Sequence, residues 1–166
     1  MTATDPRFTP KSVAFLRSLK RNNRREWFLE HREDYERHVR EPLRAIVERL
    51  ASDFRTFAPG TIAEPKTSMY RIYRDVRFSA NKAPYKTHAA AVFPPRGVAK
   101  HEGAAFYFHL SAEDVWVGGG MYAPQTAQLL AVREHIVDQL NRFRRIVEAP
   151  AFRRAFGTLK IGRAHV

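Results

Sequence analysis

Residues 66–88, KTSMYRIYRDVRFSANKAPYKTH, bring Lys66, Arg71, Arg74, Arg77, Lys82 and Lys86 together with Asp75 as their only acid. One carboxylate cannot neutralise this set. Guanidinium forks match the oxygens of phosphate and carboxylate groups, so the excess charge points to an anionic ligand. Read as a strand, the stretch places Arg71, Tyr73, Asp75 and Arg77 on one face and Ile72, Arg74, Val76 and Phe78 on the other. Read as a helix, it gathers Arg71, Arg74 and Asp75. The expected ligand-binding set is Arg71, Arg74, Arg77, Lys82 and Lys86. Three residues are candidates for catalysis. Asp75, held ionised by flanking cations, would orient an arginine; Tyr85 among cations is expected to have a lowered pKa; His88 titrates near neutrality. The same residues also suit a purely structural ion-pair network.

Gly118, Gly119 and Gly120, in WVGGGMYAPQ, join the ligand-binding set. They follow a strand pattern and precede a helix that Pro124 would begin, and glycine backbone can approach a ligand closely. Their spacing is not that of a P-loop or a dinucleotide fingerprint, and a bulge or sheet-to-helix turn is the bland alternative. Metal ligation has no support: there is no His-Glu-x-x-His, and His31 and His38 lie seven apart on a solvated-looking helix. His88, His101 and His109 would have to be brought together by the fold. No cofactor is expected. A Gly-x-Ser-x-Gly element is absent too.

The elements that must position these groups change type along the chain. Thr9-Pro10 reads as a helix start before KSVAFLRSLK, with Phe15, Leu16 and Leu19 on one face. Asn23 with Glu26 resembles a capping box opening a second helix that carries Trp27, Phe28 and Tyr35. A third runs through EPLRAIVERLASDF, with Leu43, Ile46, Val47, Leu50 and Phe54 at helical spacing. From Thr67 to Met121 the pattern is of short aromatic and β-branched runs bounded by Pro, Gly or Asn, as in strands. LSAEDVW reads as a tight hairpin between the last two. After Pro124, residues 125–149 return to helical spacing, and PAFRRAFGTL makes a short last helix. The expected fold is α+β: N-terminal helices, a central antiparallel sheet of about four strands, and C-terminal helices.

A chain of 166 residues is expected to form a single domain over residues 1–160. No cysteine is present, which removes disulfides, thiolate metal sites and a Cys nucleophile. No apolar run is long enough for a signal peptide or membrane helix, so the expectation is a cytoplasmic protein with no membrane partner. The net charge of +12 favours a polyanionic partner, although 22 arginines against 7 lysines also reflect a GC-rich coding bias. The last six residues, Ile161 to Val166, carry no cap or pattern, and one reading of their codons matches a common sequencing adapter. They are expected to be a non-native tail, with the natural chain continuing beyond about Lys160.

RIYRDVRFSANKAPYKTH, preceded by NNRREWF and followed by YFHLSAEDVWVGGGMYAP, resembles the bacterial family known as domain of unknown function 2461. The shared element is Arg71, Arg74, Asp75, Arg77 and Phe78, then Asn81, Lys82 and Tyr85. The resemblance spans roughly Phe8 to Leu159. It implies one C-terminally truncated domain with a site around this element, and no particular activity. Three readings remain open. The first is a small-ligand protein, enzyme or not, gripping a phosphate or carboxylate. The second is a non-catalytic nucleic-acid-binding module in which Tyr73 and Tyr107 stack bases. The third is an interaction domain for an acidic partner.

Overall fold

A computed structural model describes residues 5–159; Ile161 to Val166 lie outside them. The chain divides into two compact units, one ending at Tyr122 and the other beginning at Ala123. The first unit opens with α1 (Pro10–Arg21). Pro10 supplies a helical φ where no N–H is needed, and Ser12 accepts from the Thr9 backbone N–H at 3.0 Å. α2 (Arg25–Glu30), α3 (Arg32–Tyr35), a π-helical turn (Glu36–Arg40) and α4 (Glu41–Phe57) follow. Asn23 is not the cap of α2; that position is Arg24. The Asn23 amide is engaged elsewhere, as described below.

After the short α5 (Pro65–Ser68), three strands form an antiparallel sheet in the order β1-β2-β3: β1 (His88–Phe93), β2 (Ala105–Ser111) and β3 (Val115–Gly120). The β2–β3 turn is the expected hairpin. The Ser111 hydroxyl accepts the backbone N–H groups of Glu113 and Asp114 at 3.1 and 3.0 Å. The fold is therefore α+β, as its pattern of runs implies.

What the sequence presents as a further strand, residues 69–78, pairs only through isolated bridges. Met69 pairs with Ala91 and Tyr73 with Tyr85. Between the two bridges three residues on one side face five on the other, so a continuous ladder is impossible and the chain bulges. Alternation survives without the ladder: Ile72, Arg74 and Val76 turn inward while Arg71, Tyr73, Asp75 and Arg77 stay exposed. Phe78 breaks the pattern, its ring 96% exposed.

Register sorts the sheet into two faces. Ala89, Ala91 and Phe93 pair with Leu110, Phe108 and Phe106, and these pack beneath the helices. Leu16 and Leu19 of α1, Val39 of the π-helical turn, and Leu43, Val47 and Phe54 of α4 complete this core. Phe54 meets Phe93 and Phe106 at 5.3 and 5.5 Å. Cover ends at β3, whose Val115 and Val117 on the same face are exposed. The opposite face carries His88, Val92, Tyr107, His109, Trp116 and Gly118.

The second unit contains α6 (Thr126–Asp138), α7 (Leu140–Val147) and α8 (Pro150–Phe156). α6 starts at Thr126 with Gln125 as its cap, not at Pro124; the Gln125 N–H donates to the Gln128 side chain at 2.8 Å. The single long helix expected over residues 125–149 breaks at Gln139, whose backbone (φ −113°, ψ 31°) leaves the helical region.

Candidate ligand-binding site

The basic segment has few backbone partners of its own, and a chain without a ladder must satisfy its carbonyls by other means. Its cations do much of this. Arg74 donates to the Ala83 carbonyl at 3.0 Å and to the Ser79 hydroxyl at 3.4 Å. Lys82 donates to the Val76 and Arg77 carbonyls at 3.1 and 3.4 Å, and Lys86 to the Arg71 carbonyl at 2.9 Å. Arg77 grips Asp75 through two bonds of 3.0 and 2.7 Å. That guanidinium holds the Asp75 carboxyl below its ordinary pKa, as expected for an acid beside cations. The segment is thus cross-linked by its own charges, and its arginines do not converge on one point.

Residue 85 anchors the other limb of the bulge. The Asn23 amide donates to the Tyr85 carbonyl at 2.9 Å and accepts the Tyr85 N–H at 3.0 Å, acting as a one-residue stand-in for a strand. The Tyr85 ring stacks on Phe28 at 4.1 Å and is 4% exposed. Burial raises its pKa, the reverse of the lowering expected from nearby cations. Desolvation of a buried phenol outweighs those charges.

With Tyr85 fixed, Lys86 and His88 are delivered to the face of the sheet opposite α1 and α4. They line a cavity of about 510 Å³ together with Lys100, Tyr70, Tyr107 and Trp116. Gly118, Gly119 and Gly120 form one wall. They lie within β3, paired to Tyr107, Phe106 and Ala105, instead of making a turn into a helix. Gly118 keeps the wall flat: a Cβ there would touch the Trp116 ring at 3.4 Å. Five residues singled out in the sequence, Lys86, His88 and the three glycines, therefore share one cavity. Arg74, Asp75, Arg77, Lys82 and Tyr85 do not line it.

The electrostatics of this cavity are one-sided. Among the described residues, no aspartate or glutamate lines it. Lys86 and Lys100 stand 5.2 and 4.4 Å from the centre of the Tyr70 ring, whose electron-rich face attracts cations. Burial lowers the pKa of both ammonium groups; the charge of Arg71 adds to this at Lys86, and that of Lys86 at Lys100. His88 stacks on His109 at 4.5 Å, and His109 on Trp116 at 5.4 Å. Burial first, and His109 second, push the His88 pKa down to about 4, so it is neutral at pH 7. His88 and His109 do converge, and His101 lines the same cavity, yet among the described residues no group of three His, Cys, Asp or Glu is placed to hold a metal.

The sequence signal for this face was available. Alternation in AFYFHLS and VWVGGG puts Tyr107, His109, Trp116 and Gly118 on one side. Lys100 had no such signal, since it sits in an irregular connection and reaches the cavity only through the fold.

The model of a family described as "Conserved hypothetical protein (DUF2461)" matches residues 11–164, nearly the whole chain. The chain belongs to this family. No match was found among curated proteins or among solved structures. The element from Arg71 to Tyr85 lies within the matched residues and builds the bulge that aims Lys86 and His88. Among the described residues no helix is long and apolar enough to cross a membrane.

Proposed function

We propose that this DUF2461 protein binds a small organic anion, a carboxylate or phosphate ester on a flat apolar body, in the cavity on the open face of its sheet. One observation carries the reading: two lysines face an aromatic-walled cavity of about 510 Å³ that no carboxylate lines among the described residues. Desolvated ammonium groups without a counter-ion are costly, and a bound anion relieves that cost. Tyr70, Tyr107 and Trp116 offer ring faces to the ligand body. The anion is thus held by Lys86 and Lys100, with Arg71, Arg74 and Arg77 shaping the segment that presents Lys86. A cytoplasmic setting, where organic anions are abundant, belongs to the same proposal.

The test is a panel of aromatic carboxylates, phosphate esters and dicarboxylates, read by thermal shift and then calorimetry. A ligand at about 100 times its Kd adds roughly 2.7 kcal/mol of stability, easily seen in a melt. Replacing either lysine with alanine should weaken binding by roughly tenfold or more, the usual loss for a hydrogen bond to a charged group. Affinity should also fall in the alkaline range, and at lower pH than for a site built on exposed lysines, because burial lowers the pKa of both ammonium groups. Equal binding by the parent and both alanine variants would refute the proposal.

A further inference from the structure

A second concavity of about 570 Å³ lies among α3, the π-helical turn, α4 and the α5 segment. Arg32, Arg40, Arg44, Lys66 and Arg71 line it, against Glu36 as the only lining acid among the described residues. Two of these cations are already matched: Arg40 pairs with Glu36 at 2.9 Å, and Arg44 with Glu41 at 2.6 Å. Arg32, Lys66 and Arg71 have no carboxylate within ion-pair distance among the described residues. They come from three places in the chain, α3, α5 and the bulged segment, so tertiary folding assembles them.

Two further observations point to a ligand there. The wall contains the π-helical turn Glu36–Arg40, a rare departure from the α-helix that is frequent at functional sites. Tyr73 adds a ring 51% exposed yet held in place from behind by Phe28 at 6.4 Å and Tyr85 at 5.6 Å. A braced, solvent-facing aromatic ring beside unpaired guanidinium groups offers a stacking surface and a phosphate fork in one groove.

We propose that this groove binds a nucleotide unit, with the phosphate on Arg32, Lys66 and Arg71 and the base against Tyr73. This groove shares the Tyr70 wall with the sheet-face cavity, but neither Arg32 nor Tyr73 lines that cavity, so variants at these two residues test this reading without testing the other. The chemistry is common to a free mononucleotide and to one residue of a single strand.

The experiment is calorimetric and fluorescence titration of the full chain with a purine nucleoside monophosphate, the matching nucleoside, inorganic phosphate and a short single-stranded oligonucleotide. Arg32→Ala and Arg71→Ala are expected to weaken the phosphorylated ligands about tenfold or more each. Tyr73→Ala should cost about tenfold, and Tyr73→Phe should retain parental affinity because the ring is kept. These side chains are exposed, so unchanged melting of each variant will separate binding from folding. Saturation by the monophosphate with a shallow salt dependence identifies a free nucleotide as the ligand. Tighter binding of the oligonucleotide with a steep salt dependence identifies a strand. The proposal is overturned if no phosphorylated probe saturates, if inorganic phosphate binds as well as the nucleotide, or if Arg32→Ala and Tyr73→Ala bind like the parent.

Discussion

Replacing Asn23 with alanine tests the account of how the basic segment is held. The Asn23 amide makes both of the hydrogen bonds that a neighbouring strand would make to residue 85, at 2.9 and 3.0 Å. Each such bond contributes a net of about 0.5–1.5 kcal/mol, and more when its loss strands a buried partner. Both partners here are backbone groups of a residue that is 4% exposed, so the sum belongs near the upper end, about 2–3 kcal/mol. For a chain of this size that corresponds to a fall in Tm of roughly 4–12 °C. Asn23→Asp should do no better at pH 7. It keeps an acceptor for the Tyr85 N–H but sets a charged oxygen against the Tyr85 carbonyl.

The assay is urea unfolding of parent and variants, followed by tryptophan fluorescence, with the slope on denaturant checked for constancy. Lys86 is the next residue in the chain, so Asn23→Ala should also weaken any ligand found for the sheet-face cavity. A stability loss below about 0.5 kcal/mol, the range of ordinary surface substitutions, would show that the bulge stands without Asn23 and would refute the reasoning.

Other outcomes follow from the same geometry. Phe28→Ala should destabilise by about 3–5 kcal/mol, because the ring is 2% exposed and stacks on Tyr85, whereas Phe78→Ala should stay within about 0.5 kcal/mol; parallel urea melts compare them. His88 should give an acid-sensitive limb of stability. The unfolded chain protonates this residue near pH 6.5 and the folded chain only near 4, so between those values the unfolded state binds more protons and stability falls as pH falls. Melts from pH 7.5 down to 4 should show this loss, and His88→Gln should shrink it; an unchanged limb in the variant would assign the effect to other groups.

The broad fold was legible because it depends on local pattern. Helical spacing places Leu16, Leu19, Leu43, Val47 and Phe54 in one core, and strand alternation separates Ala89, Ala91 and Phe93 from His88 and Val92. The same alternation runs through Arg71 to Arg77 even though no ladder forms there. Side-chain alternation is a property of extended backbone, and pairing is not. Sequence pattern could therefore say which residues face out but not whether a neighbour would accept the hydrogen bonds. Asn23 shows the same boundary. Its spacing to Glu26 fits a capping box, but its partner lies 62 positions away, where two buried backbone groups have nothing else to bond.

The candidate site divides along that line too. A surplus of cations is visible in any listing of residues 66–88, and it suggests an anion. In three dimensions the surplus is split three ways. Arg74 and Lys82 neutralise carbonyl oxygens of an irregular loop, Arg77 is matched by Asp75, and Lys66, Arg71 and Lys86 line cavities, Lys66 and Arg71 the groove and Lys86 the sheet face. An irregular segment needs donors for its carbonyls, and long cationic side chains supply them without a regular ladder. Charge density along the chain thus reports two demands, binding an anion and stitching a loop. The two part company at the donors left over: the Lys82 ammonium meets two carbonyls, whereas Lys86 and Lys100 each meet one, that of Arg71 or of Met69, and stand against an aromatic wall lined by no described carboxylate, so they keep capacity for a ligand.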